Sequence, residues 1–287
     1  EMLDWRLLDG KMQGRLLLDF PFQKETGSPV VVVDATVQDG KVENSPRKLA
    51  FEQVQAPVYF HLRDGIQVPE FDARFMGNPV TGHWHTRGGR SQVAAQGTIK
   101  VPALRDWLGF PWLAPASGTL PVKLAIQVPW LGSRFSLKAS STLEGVEVKA
   151  PDPIGKGAGQ TVPLSVEIET KGRAQQLALR YGDEIRGLFR LGDGLAGEVL
   201  LGEVLLGDGH LQIPATGLNV RGTLRKGAVS PWLDFIGDQM APALKQQGAG
   251  AGASTAGLLN NINVQIGELD LFGVAVPNAG LSVLPRD

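Results

Sequence analysis

The chain has 287 residues, 43% of them hydrophobic, which is enough to bury a sizeable core in one or two domains. Lys and Arg (28) nearly balance Asp and Glu (29), and this argues against a nucleic-acid partner, which needs a basic excess. The absence of cysteine excludes disulfides, thiolate metal sites and cysteine nucleophiles.

Alternation of apolar and polar residues with a period of two dominates the chain and predicts β-strands. Glycine and proline make up roughly a fifth of the residues, as in β proteins with many turns. In chain order, strands are predicted over 14–22, 29–37, 58–62, 66–76, 80–86, 91–100, 120–128, 134–148, 162–168, 175–181, 184–191, 196–206, 209–213, 217–225, 262–271 and 280–284.

Turn residues separate many of these strands. Asp39-Gly40, Asp64-Gly65, Gly192-Asp193-Gly194 and Gly207-Asp208-Gly209 tolerate the positive φ values that tight hairpins require. Strands that are joined by such turns are antiparallel, so we expect a largely antiparallel sheet.

Two short helices interrupt the strands. Pro102 to Trp112 is predicted to form about two turns, and Ser230 to Gln247 is predicted as a helix with Ser230 as its N-cap and Pro231 at its first position. Residues 247–257 are rich in Gly, Ala, Ser and Thr and are predicted as a flexible linker.

One internal repeat accompanies the helices. Gly97-Thr98-Ile99-Lys100 is matched by Gly222-Thr223-Leu224-Arg225, and Trp107 is matched by Trp232 at the same offset. We interpret this as one strand–helix module used twice, with chance similarity of short corners as the alternative. The predicted organisation is a β-rich segment (1–95), a β-groove segment (96–220), and a second copy of the module (221–287) that includes the linker.

More than a dozen amphipathic strands must cover their apolar faces, and two short helices cannot do so. Three solutions remain open: two sheets packed on each other, a closed barrel, or an open curved sheet whose apolar side is covered by something else. Acyl chains can supply that cover. The fold class is therefore mainly β, and the preferred form is a long twisted antiparallel sheet curled into an open apolar groove.

No catalytic or metal-binding residue can be named. His83 and His85 share one strand face but have no third ligand nearby in sequence, so they are interpreted as solvent-facing residues. Residues 155–161 lack the spacing of a phosphate-binding loop and precede a strand, so they are interpreted as a flexible turn. We expect neither an enzyme nor a cofactor.

Three stretches carry a resemblance to a known family. They are Ala116 to Val122, Ser140 to Val146, and Ala150 to Lys156, which are followed by the strand Val162 to Ile168 and by Leu179-Arg180-Tyr181-Gly182. In this order they resemble the middle of a large member of the AsmA-like envelope proteins of Gram-negative bacteria. Ile154 stands where the family usually has leucine, which is a mild departure.

This resemblance implies a periplasmic protein that is anchored in the inner membrane by an N-terminal helix absent from this chain. It also implies a groove that is apolar inside and polar outside, a role in moving phospholipid towards the outer membrane, and support of the permeability barrier. No cofactor or catalytic residue belongs to the family. The implied partners are phospholipid and the membranes at the ends of the full-length protein, with envelope proteins as further candidates and no nucleic acid.

The leading hypothesis is therefore a lipid conduit. Acyl chains would lie against two inward rows of side chains: Leu120, Val122, Leu124, Ile126 and Val128 in the first, and Val162, Leu164, Val166 and Ile168 in the second. The alternatives are a structural or tethering module of the envelope, and a carbohydrate-binding β-sandwich suggested by the six tryptophans.

Overall fold

The structure, a computed structural model, describes residues 5–21, 28–44, 49–109, 113–129, 135–171, 174–192, 199–240 and 259–283. Within these residues it is mainly β, with two short α-helices, as predicted. The strands are β1 (Trp5–Asp19), β2 (Val30–Asn44), β3 (Leu49–His61), β4 (Gly65–Phe75), β5 (Asn78–Arg87), β6 (Arg90–Lys100), β7 (Ala116–Pro129), β8 (Ser136–Ser141), β9 (Val146–Val148), β10 (Leu164–Lys171), β11 (Ala174–Tyr181), β12 (Ile185–Leu191), β13 (Val199–Leu206), β14 (Leu218–Ala228), β15 (Leu259–Leu271) and β16 (Val274–Val283).

The strand order follows the chain from β1 to β16, except that β9 pairs with β7 beside the main path. β1 and β16 stand at the two ends of this order. The chain divides into two compact units. Unit 1 comprises Glu1–Ile99 and Pro121–Ala139, and unit 2 comprises Lys100–Leu120 and Ser140–Asp287.

In unit 1, the strands β1 to β6 pair antiparallel with their chain neighbours. The hairpin predicted at Asp64-Gly65 joins β3 to β4, and Gly65 has φ of 78° there. The hairpin predicted at Asp39-Gly40 is wrong. These two residues lie inside β2 at a register shift, where a Cβ on Gly10 of β1 would come within 2.6 Å of the Gly40 Cα. The pair therefore forms a β-bulge, because the strand continues on both sides.

In unit 2, β10 to β13 form an antiparallel ladder, but β13–β14 and β14–β15 are parallel. The predicted antiparallel order is therefore wrong at these two pairs. Gly207-Asp208-Gly209 opens a crossover loop (207–217) and does not form a hairpin, because parallel neighbours need a longer connection. The strand predicted over 209–213 lies in this loop. Of the hairpin predicted at 192–194, only Gly192 is among the described residues.

The first helix, α1 (Val101–Leu108), confirms the two turns predicted after Lys100. The second, α2 (Val229–Asp234), continues into a π-helix (Phe235–Met240). Its N-cap is Ala228 and not Ser230, so that prediction is wrong. The predicted remainder of this helix (241–247) and the linker (247–257) lie outside the described residues. None of the described helices is long and apolar enough to cross a membrane.

Among the described elements, neighbouring strands of the sheet are in extensive contact. Helix α2 contacts the π-helix and β15. In unit 2, α1 supplies Val101 to a buried hydrophobic cluster with Leu120, Leu143 and Val146.

Candidate functional site

One face of the unit 2 sheet is apolar from β10 to β16, because the strand registers align apolar residues into cross-strand rows. One row consists of Ile168, Leu177, Phe189, Gly202 and Leu218. A second row, about 13 Å further along the strands, consists of Leu164, Tyr181, Ile185, Leu206, Gly222, Val264 and Leu281. We call this surface the unit 2 apolar face.

The opposite face of the same strands is polar. One row across it consists of Ser165, Arg180, Arg186, Leu205, Arg221 and Asn263. Leu205 is the exception in this row, and it is fully buried because the 207–217 loop crosses over it. A sheet with one apolar and one polar face needs cover on the apolar side only.

Unit 1 repeats this arrangement on its own strands. Its apolar face includes one row of Leu16, Val33, Phe60 and Ile66, and another of Val68, Trp84 and Val93. The opposite face has a row of Arg15, Asp34, Tyr59, Gln67, His85 and Gln92. We call the first surface the unit 1 apolar face.

The nine residues predicted to line the groove fall on both units. On β7, Val122, Leu124, Ile126 and Val128 are half-buried and belong to unit 1, while Lys123, Ala125 and Gln127 between them are exposed. On β10, Leu164 and Val166 are half-buried and Ile168 is buried, whereas Ser165 is exposed. The alternation predicted for these two strands is therefore present, and each row lies on the less exposed side of its strand.

Three of the nine residues belong to a compact core at one end of the unit 2 apolar face. Leu120 is buried together with Val101 of α1 and with Leu143 and Val146. Val162, Leu164 and Tyr181 pack against this cluster. The protein itself thus covers the Leu164–Tyr181 end, and Val166 and Ile168 lie on the part of β10 beyond it.

The segment 142–162 forms one side of this core. It closes on itself, because the Val162 N–H donates to the Thr142 carbonyl at 2.9 Å. β9 lies within it and pairs with the first residues of β7. The strand predicted over 134–148 is therefore divided into β8 and β9 by a turn at Leu143 to Gly145.

A buried lysine holds the inside of this segment. Lys156 is only 6% exposed, and its Nζ donates to the carbonyls of Leu143 (2.8 Å), Val146 and Gly157 (2.9 Å). Burial lowers the pKa of the Lys156 ammonium group. The interpretation of residues 155–161 as a flexible turn missed this role. The glycines around Lys156 indicate a turn, but the carbonyls that it binds are up to 13 residues away.

Two aromatic donors attach the same segment to its surroundings. The Tyr181 hydroxyl donates to the Ile154 carbonyl at 2.5 Å, and the Trp232 Nε1–H of α2 donates to the Asp152 carbonyl at 3.2 Å. Burial raises the pKa of the Tyr181 phenol, so this hydroxyl stays protonated as a donor. Helix α2 is therefore attached to the 142–162 segment.

The polar face of unit 2 has its own buried charge. Glu203 is 4% exposed and accepts from Arg221 Nε at 2.6 Å, from Arg221 Nη2 at 3.0 Å and from the Gln212 N–H at 2.7 Å. Burial alone would raise the pKa of the Glu203 carboxyl, but these bonds outweigh it and lower the pKa. Arg221 also donates to the His210 carbonyl. This pair therefore holds the crossover loop against the sheet.

Groups suited to metal or acid–base chemistry are sparse among the described residues. No cluster of three or more His, Asp or Glu side chains there could hold a metal ion. His83 and His85 lie on the polar face of β5 with their ring centroids 6.0 Å apart. Glu167 and Glu169 line a shallow depression on the polar face, beside Gln176. The apolar faces are the larger and more continuous feature.

Comparison with known proteins identifies a family for the chain. A family model that is described as YhdP protein matches residues 1–287, which is the whole chain. No curated protein and no solved structure matches the chain.

Proposed function

Because the chain belongs to the YhdP family of envelope proteins, we propose that it is a segment of a lipid-transfer protein whose apolar faces hold phospholipid acyl chains. The supporting observation is the separation of apolar and polar rows across seven consecutive strands of unit 2. A structural or tethering module of the envelope is the main alternative.

The free energy of apolar burial supports this proposal. Val166, Leu177, Leu179 and Phe189 are only half-buried, and removing apolar surface from water contributes about 25 cal/mol per Å². An acyl chain gains about 0.8 kcal/mol for each methylene that it buries. Contacts of this kind are not directional, so a chain that slides from one row to the next loses little energy on the way.

The proposal also covers the phospholipid headgroups and the cellular setting. Phospholipid headgroups would remain in water while their acyl chains lie on the apolar face. The full-length protein would be anchored in the inner membrane and carry lipid through the periplasm towards the outer membrane, supporting its permeability barrier. The proposed activity is transfer without catalysis, and it needs no cofactor.

The first experiment is extraction of the purified chain with organic solvent, followed by mass spectrometry of the lipids. We expect phospholipid in a reproducible ratio to protein. A lipid-free protein that still folds would contradict the conduit and favour the tethering module.

Paired variants test which face carries the lipid. Leu124→Asp and Val166→Asp place a charge on the apolar rows, and we expect a loss of bound phospholipid of at least threefold. The matched controls, Ala125→Asp and Ser165→Asp, place the same charge on the exposed neighbouring residue, and we expect no change. Circular dichroism confirms that each variant is folded. Equal lipid content in all four variants would overturn the proposal.

A further inference from the structure

The ring of Phe189 lies flat on the unit 2 apolar face, over two glycines. A Cβ on Gly187 would come within 2.5 Å of Phe189 Cε2 and 2.7 Å of Cζ. A Cβ on Gly202, directly across the ladder, would come within 2.3 Å of Phe189 Cδ1. The ring therefore occupies the space that side chains at both glycine positions would need.

The backbone does not require glycine at these two positions. Both lie inside strands, and neither has φ in the left-handed range. Glycine inside a strand is destabilising relative to a residue with a side chain. At Gly187 the closest atoms to an added Cβ belong to the Phe189 ring, and the next is Leu179 Cβ at 3.5 Å. The ring can therefore lie close to the sheet because Gly187 has no side chain.

Unit 1 has the same combination on its own apolar face. Phe71 pairs across the ladder with Gly82, and a Cβ on Gly82 would come within 2.6 Å of Phe71 Cζ. In this case the Ala94 carbonyl oxygen is even closer, at 2.3 Å, so backbone crowding also requires glycine. Gly187 is therefore the position at which the role of the ring can be isolated.

We propose that Gly187 and Gly202 keep the Phe189 ring flat so that the acyl chain of a phospholipid can cross the row from Ile168 to Leu218. This inference rests on the function proposed above. It names the residues that determine how much space above the sheet is free for the acyl chain. A Cβ at position 187 would have to move the ring by about 1 Å to reach ordinary contact. Since the sheet lies beneath the ring, the inference is that the ring moves outward, into the volume of the acyl chain.

The test compares Gly187→Ala, Phe189→Ala and the double variant Gly187→Ala/Phe189→Ala. Phospholipid per folded protein is measured by extraction and mass spectrometry, with the folded fraction taken from circular dichroism. We expect Gly187→Ala to lose at least half of its lipid. We expect Phe189→Ala and the double variant to hold at least as much as the unmodified chain, because no ring remains to be displaced.

The matched control is Gly280→Ala on β16. Gly280 lies opposite Gln265 on the polar side of the strands, and an added Cβ would come within 3.4 Å only of the flexible Gln265 amide. We expect its lipid content to be unchanged.

The possible failures are distinguishable. If the unmodified chain carries no phospholipid, the proposed function fails and this inference fails with it. If the unmodified chain carries phospholipid and Gly187→Ala carries as much, only the inference fails. A loss that persists in the double variant would also overturn it, because the effect would then not act through the ring.

Discussion

Replacing Lys156 with methionine tests whether the buried ammonium group stabilises unit 2. Methionine retains most of the apolar stem but removes three donated hydrogen bonds, each worth about 1.5–3 kcal/mol for a charged donor. Two of the acceptors keep another partner, because the Val146 N–H donates to the Leu143 carbonyl and the Gln160 N–H donates to the Gly157 carbonyl, each at 3.1 Å. The losses are therefore less than additive, and we expect the free energy of unfolding to fall by about 3 kcal/mol.

Urea unfolding followed by circular dichroism measures this change. The control is Lys149→Met, a few residues away on the same segment. The Lys149 side chain is 66% exposed and its Nζ is 3.9 Å from Glu147, so we expect its replacement to cost less than about 0.5 kcal/mol. If the two variants unfold within 0.5 kcal/mol of each other, Lys156 does not hold the 142–162 segment and the argument for its role fails.

Three further predictions concern single contacts. The lowered pKa of Glu203 stabilises the folded state above about pH 4.5, and this contribution is lost as the carboxylate is protonated at lower pH. Glu203→Gln is therefore expected to lose less stability than the unmodified chain on acidification below that pH. Urea unfolding as a function of pH measures this difference. The raised pKa of the Tyr181 phenol makes the folded state less stable as the pH increases beyond 10, when the phenol loses its proton. Tyr181→Phe is expected to abolish this fall in stability. Ultraviolet absorbance follows the titration of the phenol in the unmodified chain and its absence in the variant. Trp232→Phe is expected to lower the free energy of unfolding by about 1 kcal/mol through loss of the bond to Asp152, and an unchanged value would mean that α2 does not stabilise the segment.

Features encoded by neighbouring residues could be predicted from the sequence. The alternation on β7 and β10 predicted which side chains are less exposed, because successive residues of a strand point to opposite faces whatever the partner strand is. The turn at Asp64-Gly65 and helix α1 were predicted correctly for the same reason, since each depends on a few adjacent residues.

Features that depend on distant residues could not be predicted. The parallel pairing of β13 and β14 depends on the path of the 207–217 loop, and the turn residues at its start are equally compatible with a hairpin. The burial of Lys156 depends on carbonyls that come together only when the 142–162 segment closes. The Glu203–Arg221 pair spans 18 residues, and neither residue stands out in its local sequence.

The way in which the 142–162 segment is held has an evolutionary consequence. Three side chains donate the hydrogen bonds that hold it, and the acceptors are backbone carbonyl oxygens. Lys156 donates to Leu143, Val146 and Gly157, Tyr181 donates to Ile154, and Trp232 donates to Asp152. A carbonyl oxygen is present whichever amino acid supplies it. Substitutions at the accepting positions can therefore accumulate while the attachment survives, whereas the three donors are constrained to side chains that can reach and donate.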